Sequence, residues 1–559
     1  MVLNVADLVE HAVDLVPDRI ALVCGDRRLT YAELEARTNR LAHHLALQGI
    51  GPGDHVGVYA GNSLETAEAL IAICKLRAVN VNVNYRYTEN ELRYVLDNAD
   101  AVALIHQRGL SGRVAAVLPE LPKIRHVIVT EDDTEDDGVA DGYGAVRYDD
   151  AIAAASPERD FGPRDPGDLY LLYTGGTTGR PKGVMWRQED VWRALGGGID
   201  FSTGEPLPDE WTQARAGVDF PMVRLVVAPL IHGQAQWAML GALFSASTVV
   251  LMRRFDAHEI WQAIDREKVN VMAIVGDAMG RPLIEAYHEG GYDGSSLFAI
   301  SSTAALMSPA VKQQYLDAFP NALLTDAVGS SETGFAGIGY VTKDGMSSRG
   351  PTVSVHKDAI VIDDEGRRVE PGSGVVGRLA RGGAVPLGYY KDPEKTAQLF
   401  AEVDGRRYTV PGDFALLNED GTITLLGRGN TCVNTGGEKV FPEEVEGVLK
   451  SHPGVFDCYV IGVPDERMGQ RVAAVVQWRE DAQPDAEDLD RHGRQSLAGY
   501  KMPRTYWFAE RVERLATGKP DYGWAKAHAE GRAPDVEWST SGSTPASAAS
   551  TTPTVNEPA

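Results

Sequence analysis

The sequence predicts an α/β fold: a large N-terminal domain of mostly parallel sheets with helices, then a small α+β C-terminal domain. Short apolar strands alternate with helical patterns along the first part, which is typical of parallel sheets covered by helices. The sequence pattern changes after Gly427-Arg-Gly, which indicates a boundary between structural units. The length of 559 residues is enough for several such units. We place the large domain at 1–428, the small domain at 429–530 and a disordered, Ser/Thr/Pro/Ala-rich tail at 531–559.

Local patterns predict the individual elements. Thr30-Tyr-Ala-Glu33 is a capping box, and the helix that it opens ends near Gly49. Short buried strands are predicted over residues 56–59, 79–83, 101–105 and 169–173. The C-terminal part is predicted to contain a helix from about Pro442 and strands over 458–463 and 471–478.

The longest stretch without a formal charge runs between Arg224 and Arg253. Its length would permit a membrane helix. However, it contains Pro229, His232 and several Gln, Ser and Thr residues, which are costly in lipid. A strand, a polar loop, a helix and a second strand fit this stretch better, and the first residues show no signal-peptide pattern.

Charge and cysteine content narrow the class of protein. The chain has 54 Lys+Arg against 79 Asp+Glu, a formal charge of −25. This balance argues against binding nucleic acid or anionic lipid, because both need a basic surface. The four cysteines are far apart and lack metal-site spacing, so we expect reduced thiols and a cytoplasmic protein.

The strongest chemical signal is Tyr173-Thr-Gly-Gly-Thr-Thr-Gly-Arg-Pro-Lys-Gly183, which follows an apolar strand. Its glycines let backbone N–H groups approach an anion, its three threonine hydroxyls add donors, and Lys182 adds a positive charge. Arg180 and Pro181 separate Gly179 from the lysine, so the Walker pattern of P-loop kinases and ATPases is not met. We predict a phosphate-binding loop; the alternative is a flexible surface loop.

This loop resembles the signature motif of the adenylate-forming enzymes, which include acyl- and aryl-CoA synthetases, peptide-synthetase adenylation domains and luciferases. The resemblance recurs in order to about residue 530, at Leu29-Thr-Tyr-Ala-Glu-Leu34, Pro229-Leu-Ile-His232-Gly, Val328-Gly-Ser-Ser-Glu-Thr-Gly334, Tyr408-Thr-Val-Pro-Gly-Asp413, Gly427-Arg428, Gly436-Gly-Glu-Lys-Val-Phe-Pro442-Glu-Glu-Val-Glu446 and Thr517-Gly-Lys519. The details look most like actinobacterial acyl-CoA ligases of the fatty-acid and steroid side-chain group. The resemblance implies an AMP-binding N-terminal domain and a mobile C-terminal domain.

The resemblance also implies a set of site residues. Glu332 is expected to hold Mg²⁺ beside the ATP phosphates, as a hard oxygen ligand for a hard cation. With Glu332, the expected catalytic residues are Thr174, Lys182 and Lys519. The expected nucleotide-binding residues are Thr174, Gly175, Gly176, Thr177, Thr178, Gly179, Lys182, Ser302, Thr303, Ala304, Val328, Gly329, Ser330, Ser331, Asp413, Arg428 and Lys519. Val328 departs from the family, because many members have an adenine-stacking aromatic residue there.

Further roles follow from the same resemblance. Asp413 would accept hydrogen bonds from the ribose hydroxyls, and Arg428 would contact ribose or phosphate. Lys519 would offset negative charge on the α-phosphate during adenylation only; without the motif it would be an ordinary surface lysine. The remaining expected positions are His232 at the acyl pocket, Asn430 at the hinge, and Gly436, Gly437 and Glu438 along the CoA channel.

These residues predict an AMP-forming acid–thiol ligase. A carboxylate would attack MgATP to give acyl-AMP, the small domain would rotate, and the CoA thiol would displace AMP. We expect a large hydrophobic acid, a steroid side-chain acid ahead of a long-chain fatty acid. The alternatives are a free-standing enzyme that loads a carrier protein and a catalytically silent nucleotide-binding protein. The expected partners are thus the small molecules ATP, CoA and the acid, and homo-oligomerisation is left open.

Overall fold

The computed structural model describes residues 4–175, 180–200, 205–343, 350–429, 431–435, 438–515 and 519–538. Seven of the expected site residues lie outside these ranges: Gly176, Thr177, Thr178, Gly179, Asn430, Gly436 and Gly437. Over the described ranges the chain forms three sheets and the helices that cover them. The predicted α/β fold, with a large N-terminal part and a smaller C-terminal part, is confirmed.

One N-terminal sheet contains all four strands predicted in the first part of the chain. Its strands, in spatial order, are Gly388–Tyr389, Lys182–Arg187, Leu169–Thr174, Val79–Val83, His55–Tyr59, Ala101–Gln107, His126–Thr130 and Val146–Arg147. The strands from Leu169–Thr174 onward are parallel, whereas Lys182–Arg187 and Gly388–Tyr389 join antiparallel at one edge. The central strands are buried on both faces, which explains their continuous apolar sequences.

The largest sheet is parallel from Ile20–Cys24 to Leu323–Ser330, with antiparallel pairing at Arg27–Thr30 on one side of this run and from Gly334–Tyr340 onward on the other. Its strands, in spatial order, are Arg27–Thr30, Ile20–Cys24, Thr248–Leu251, Val223–Val226, Val271–Ile274, Ala299–Thr303, Leu323–Ser330, Gly334–Tyr340, Thr352–Val355, Ile423–Arg428, Asp413–Leu417, Val376–Arg381, Arg406–Thr409 and Phe400–Val403, with Ala359–Ile362 beside Val376–Arg381. The last residues of Ala299–Thr303 and Leu323–Ser330 therefore lie side by side at one edge.

The uncharged stretch folds as predicted. It forms the strand Val223–Val226, the helix Gly233–Phe244 and the strand Thr248–Leu251, with the two strands parallel and adjacent. Along the described ranges, no helix has both the length and the apolar character needed to cross a membrane.

The helices cover both N-terminal sheets and both faces of the third. The α-helices are Val5–Leu15, Tyr31–Leu47, Leu64–Lys75, Glu89–Asn98, Ser111–Val117, Val139–Gly142, Tyr148–Ala153, Gln188–Ala194, Thr212–Asp219, Gly233–Phe244, Ala257–Glu267, Gly276–Gly290, Pro309–Ala318, Pro393–Leu399, Pro442–Leu449, Ala486–Gly493 and Tyr522–Ala529, and two 3₁₀ turns span Arg108–Leu110 and Leu118–Glu120. The predicted capping box is present, because the Thr30 and Glu33 side chains each accept a hydrogen bond from the other residue's backbone N–H.

The third sheet belongs to the C-terminal part. Its strands are Glu438–Val440, Val433–Thr435, Gly469–Trp478, Thr505–Phe508 and Val536–Glu537, with Val455–Asp465 beside Gly469–Trp478. The two predicted strands are present and longer than expected, and the predicted helix begins at Pro442. Buried valines and leucines from the helix and both long strands form a separate small core.

The expected tail was placed too early. Val536–Glu537 pairs antiparallel with Thr505–Phe508, and the Trp538 backbone N–H donates to the Arg504 carbonyl. The Trp538 ring packs edge-on against Tyr506 at a centroid distance of 5.2 Å. The tail's polar composition hid Val536 and Trp538, whose apolar area is enough to anchor the segment. The structure does not describe residues 539–559.

Candidate active site

Glu332 lies at the tip of a tight turn between the strands Leu323–Ser330 and Gly334–Tyr340. The Ser330 hydroxyl accepts hydrogen bonds from the backbone N–H groups of Glu332 and Thr333, at 3.3 and 3.2 Å. Gly334 closes the turn with φ of +64°, where a Cβ would lie 2.9 Å from Leu195. The Ser/Gly composition of the motif is thus what fixes the carboxylate in position.

Two aromatic side chains connect this turn to the end of the predicted phosphate loop. The Tyr389 hydroxyl donates to Glu332 Oε1 at 3.0 Å, and Lys182 Nζ lies 5.3 Å from the centroid of the same ring. The Trp186 indole donates to the Ser331 carbonyl at 2.9 Å. Burial, and then the Glu332 charge, raise the pKa of Tyr389, so the phenol stays protonated and donates.

The stem of the phosphate loop is held in register. Thr174 pairs with Lys182 across the antiparallel strands, and Gly175, which follows, is exposed. The Asn82 amide accepts from the Tyr173 backbone N–H at 2.7 Å and donates to the carbonyls of Tyr173 and Ile231. Asn82 therefore links the loop stem to the segment that carries His232, a role that no sequence motif indicates.

Asp413 and Arg428 face each other on neighbouring antiparallel strands. Arg428 Nε donates to Asp413 Oδ1 at 3.1 Å. The Asp413 charge is the main cause that raises the pKa of Arg428. Asp413 and Arg428 lie on the last two strands before the C-terminal part, and both strands belong to the large sheet.

Lys519 approaches this region from the C-terminal part. Its carbonyl accepts from the Leu515 backbone N–H at 3.0 Å, and an antiparallel bridge joins Arg514 and Pro520. The surrounding protein and then Arg428 lower the pKa of Lys519, while Glu332 and Asp413 oppose that shift. The residue remains exposed to solvent, as expected for the wall of an open cleft. The structure thus brings Lys519, Glu332, Asp413 and Arg428 into one electrostatic neighbourhood.

His232 borders the same cleft at the start of the helix Gly233–Phe244. Burial, then the charges of Lys519 and Arg86, lower the pKa of His232 to about 4, so the imidazole is neutral near pH 7. Its Nε2 is buried and has no hydrogen-bond partner among the described residues. Buried polar atoms are usually hydrogen-bonded, so such an atom is typical of a ligand-binding surface.

The segment that is expected to lie along the adenine also contains buried polar atoms without hydrogen-bond partners among the described residues. Ser302 Oγ and Thr303 Oγ1, at the end of Ala299–Thr303, are buried and lack partners within the described ranges. Ala304 follows with φ of +61°, a left-handed conformation that is costly for a residue with a side chain. Strain and unsatisfied hydroxyls at one strand end favour a binding role for this segment.

Three other expected residues, Val328, Gly329 and Glu438, lie at the margin of the candidate site. Val328 packs against the small apolar cluster of Ala336 and Ile423, and Gly329 lies against the backbone of Gly334. Glu438 begins an exposed strand of the C-terminal sheet and pairs with Thr435. No hydrogen bond or salt bridge of the described part joins Glu438 to Glu332 or Lys519.

A second carboxylate, which the sequence reasoning missed, lies where the two parts of the chain meet. Glu443 occupies the first turn of Pro442–Leu449, and a Cβ on Gly427 would lie 2.2 Å from its Oε2. Burial and then the nearby Glu446 raise the pKa of Glu443 to about 8. Arg479 and Glu285 form a salt bridge of 3.3 Å across the same junction.

A phosphate-loop stem, a carboxylate turn, an Asp–Arg pair and a lysine from a small C-terminal unit together define an adenylate-forming enzyme. Residues 9–390 match the AMP-binding enzyme family, and residues 444–519 match the AMP-binding enzyme C-terminal domain. The chain belongs to the AMP-binding enzyme family.

Curated relatives match over nearly the whole chain. A 3-oxocholest-4-en-26-oate–CoA ligase from Rhodococcus rhodochrous is 54% identical over 94% of this chain and 96% of its own. A medium/long-chain-fatty-acid–CoA/3-oxocholest-4-en-26-oate–CoA ligase from Mycobacterium tuberculosis H37Rv is 52% identical over 95% and 97%.

The fold is also that of solved structures. The anthranilate CoA ligase AuaEII, in complex with anthranoyl-AMP, has a TM-score of 0.81 at 22% identity, covering 94% of this chain and 97% of its own. ATP-bound MatB from Rhodopseudomonas palustris has a TM-score of 0.79 at 24% identity, over 94% and 99%. At such low identity these two likenesses establish the fold alone.

Proposed function

We propose that this chain is an AMP-forming acyl-CoA ligase that activates a large hydrophobic carboxylic acid, a steroid side-chain acid ahead of a long-chain fatty acid. The observation that carries the proposal is the 54% identity, over nearly both full lengths, to a ligase named for a steroid acid. The electrostatic interaction of Lys519 with Glu332 and Asp413 supports the adenylating role that we propose for this lysine.

In the first half-reaction a carboxylate oxygen of the acid attacks the α-phosphorus of ATP. The bond from this phosphorus to the bridging oxygen breaks, and pyrophosphate leaves with that oxygen. The Lys519 ammonium would stabilise the charge that grows on the α-phosphate oxygens. Asp413 would accept hydrogen bonds from the ribose hydroxyls, and neutral His232 would border the acid without adding a second positive charge.

Glu332 fits the Mg²⁺ ion that we propose as a cofactor. One carboxylate oxygen accepts from Tyr389, and the other has no hydrogen bond from a described residue. Mg²⁺ is commonly held by one or two carboxylates together with substrate phosphates. When bound, the ion would neutralise phosphate charge, while Tyr389 holds the carboxylate in a fixed orientation.

In the second half-reaction the CoA thiolate would attack the acyl carbonyl and release AMP. We propose that the C-terminal part rotates about residues 428–430 and replaces Lys519 at the intermediate with the segment of Gly436, Gly437 and Glu438. The exposure of Glu438, away from the Glu332 turn, is compatible with a surface used only after rotation.

The test measures AMP, pyrophosphate and acyl-CoA with a panel of acids, with and without CoA. Pyrophosphate–ATP exchange without CoA, and acyl-CoA formation with it, are expected for steroid side-chain and long-chain acids but not for acetate or amino acids. Release of ADP and orthophosphate would sink the assignment. Acyl transfer to a free carrier protein but not to CoA would favour the carrier-loading alternative. ATP binding without turnover would favour a catalytically silent nucleotide-binding protein.

A further inference from the structure

A cavity of about 330 Å³ lies beside the helix Gly233–Phe244. Its wall is mostly apolar or glycine, with Leu195, Ile199, Trp237, Ala238 and Gly241 among the lining residues. Among the described residues that line this wall, the one formally charged group is the guanidinium of Arg224, from the strand Val223–Val226. This volume and lining are typical of a pocket for a mostly apolar small molecule.

One end of the cavity belongs to the candidate active site. Leu195 lies against Gly334, which closes the Glu332 turn, and the Trp237 ring lies against Gly233, next to His232. Cβ atoms placed on these two glycines would come within 2.9 and 2.8 Å of those side chains. The cavity therefore begins where the acid's carboxylate would react.

Arg224 lies at the opposite end. In a strand–helix–strand unit with parallel strands, the helix runs back antiparallel to both. The start of Val223–Val226 thus lies near the end of Gly233–Phe244, about 18 Å from His232 by helical rise. Two neighbouring residues agree with this placement. Ser245, just after the helix, lines the cavity. Tyr31 donates to the Leu243 and Ser247 carbonyls and interacts electrostatically with Arg224.

Arg224 has no protein partner over the described ranges. It forms no hydrogen bond or salt bridge there, and its Nε is buried and unsatisfied. Burial lowers its pKa, and no carboxylate opposes that shift. Arg164, a buried arginine elsewhere in the domain, is instead paired with Glu10 and Asp7. A guanidinium that is partly buried in a mostly apolar wall, with an unsatisfied Nε and no ionic partner, is available to donate to a ligand in the cavity.

We propose that Arg224 donates a hydrogen bond to a ketone oxygen at the far end of the acid and so selects oxo-steroid acids over plain fatty acids. A guanidinium only donates, so it recognises an acceptor. The inference rests on the proposed function, and the named substrate of the 54% identical relative, 3-oxocholest-4-en-26-oate, carries its oxo group at the end remote from the carboxylate.

The test compares kcat/KM for 3-oxocholest-4-en-26-oic acid and for the same acid without the 3-oxo group, in wild type, Arg224→Met and Arg224→Lys. The Met variant is expected to reduce the preference for the oxo acid about 10- to 100-fold, mainly through KM, and the Lys variant to retain part of it. Arg254→Met, at an exposed arginine paired with Glu259, is the matched control and should keep the wild-type ratio.

A direct readout does not depend on turnover. A hydrogen bond to the conjugated ketone shifts its ultraviolet absorption to longer wavelength, so wild type without ATP should show this difference spectrum and Arg224→Met should not. An unchanged ratio in folded Arg224→Met, or no spectral shift in wild type, would overturn the inference while leaving CoA ligation intact. A preference for the dicarboxylic analogue would overturn the ketone assignment. If none of these acids is activated, the proposed function itself fails.

Discussion

The Tyr389 hydroxyl donates to the Glu332 carboxylate, and the Ser330 hydroxyl accepts from the Glu332 backbone N–H, so both ends of this residue are held. Glu332→Gln keeps the shape and the Tyr389 contact but removes the charge. Pyrophosphate–ATP exchange is expected to fall about 10²-fold or more, because a charged metal ligand supplies several kcal/mol. Glu394→Gln, at an exposed position of the helix Pro393–Leu399, should remain at the wild-type rate. Near wild-type exchange by Glu332→Gln at saturating Mg²⁺ would exclude the carboxylate as the ligand.

Tyr389 acts through Glu332, so its removal should affect metal affinity before it affects rate. Tyr389→Phe is expected to raise the Mg²⁺ concentration for half-maximal exchange about 10-fold, with kcat nearly restored at saturating Mg²⁺. Tyr390→Phe is the control, since that hydroxyl donates to Asp100 instead. A loss of kcat that Mg²⁺ cannot restore would show that Tyr389 does more than orient the carboxylate.

The sequence could predict Glu332 but not Tyr389. The Glu332 motif is contiguous, so the family resemblance can be recognised there and implies a metal-binding role for Glu332, which stays a prediction. Tyr389 reaches the site because the two-residue strand Gly388–Tyr389 pairs with Lys182–Arg187, a contact between segments far apart in the chain. Neither residue propensity nor spacing encodes such a pairing.

At the scale of elements, local signals predicted most of what forms the cleft. The strand–helix–strand unit over the uncharged stretch followed from its polar residues and from the length of its apolar runs. The error at the C-terminus arose because two apolar side chains in a polar segment, Val536 and Trp538, are decisive only when a sheet edge is available to them.

Glu443, in the helix Pro442–Leu449 where the two parts of the chain meet, is expected to make the stability of the protein depend on pH. Glu443 has a pKa of about 8, above the unperturbed value of 4.5, so the folded chain holds a proton that the unfolded chain releases. Stability should therefore be undiminished by this group below pH 4.5 and should fall as pH rises toward 8. Glu443→Gln removes this dependence and should gain about 2–4 °C in Tm relative to wild type between pH 5 and pH 8.

Thermal unfolding at both pH values measures this difference. Glu487→Gln is the matched control, because Glu487 also lies in the first turn of a C-terminal helix but is exposed. If the Tm difference between wild type and Glu443→Gln is the same at pH 5 and at pH 8, the Glu443 carboxyl is already ionised in the folded chain at pH 5.

At the scale of the whole molecule, the order of motifs carries the family resemblance and its implied site residues, but not how the two parts of the chain meet. Asp413 and Arg428 come from the large sheet, whereas Lys519 comes from the C-terminal unit. The two parts also meet at contacts such as Arg479–Glu285 and Glu443–Gly427, which join segments far apart in the chain. No single stretch of sequence carries that information.

The proposed mechanism predicts that the two half-reactions can be separated. Lys519 interacts electrostatically with Glu332 and Asp413, so Lys519→Ala should slow acyl-AMP formation about 10²–10³-fold, the usual cost of removing a group aimed at developing charge. Conversion of supplied acyl-AMP to thioester should stay within a few fold of wild type, because the proposed rotation takes Lys519 away. Lys526→Ala, at an exposed lysine of the helix Tyr522–Ala529, controls for loss of a surface charge. Single-turnover kinetics of each step provide the measurement, and equal slowing of both steps would favour a fixed active site over a rotating domain.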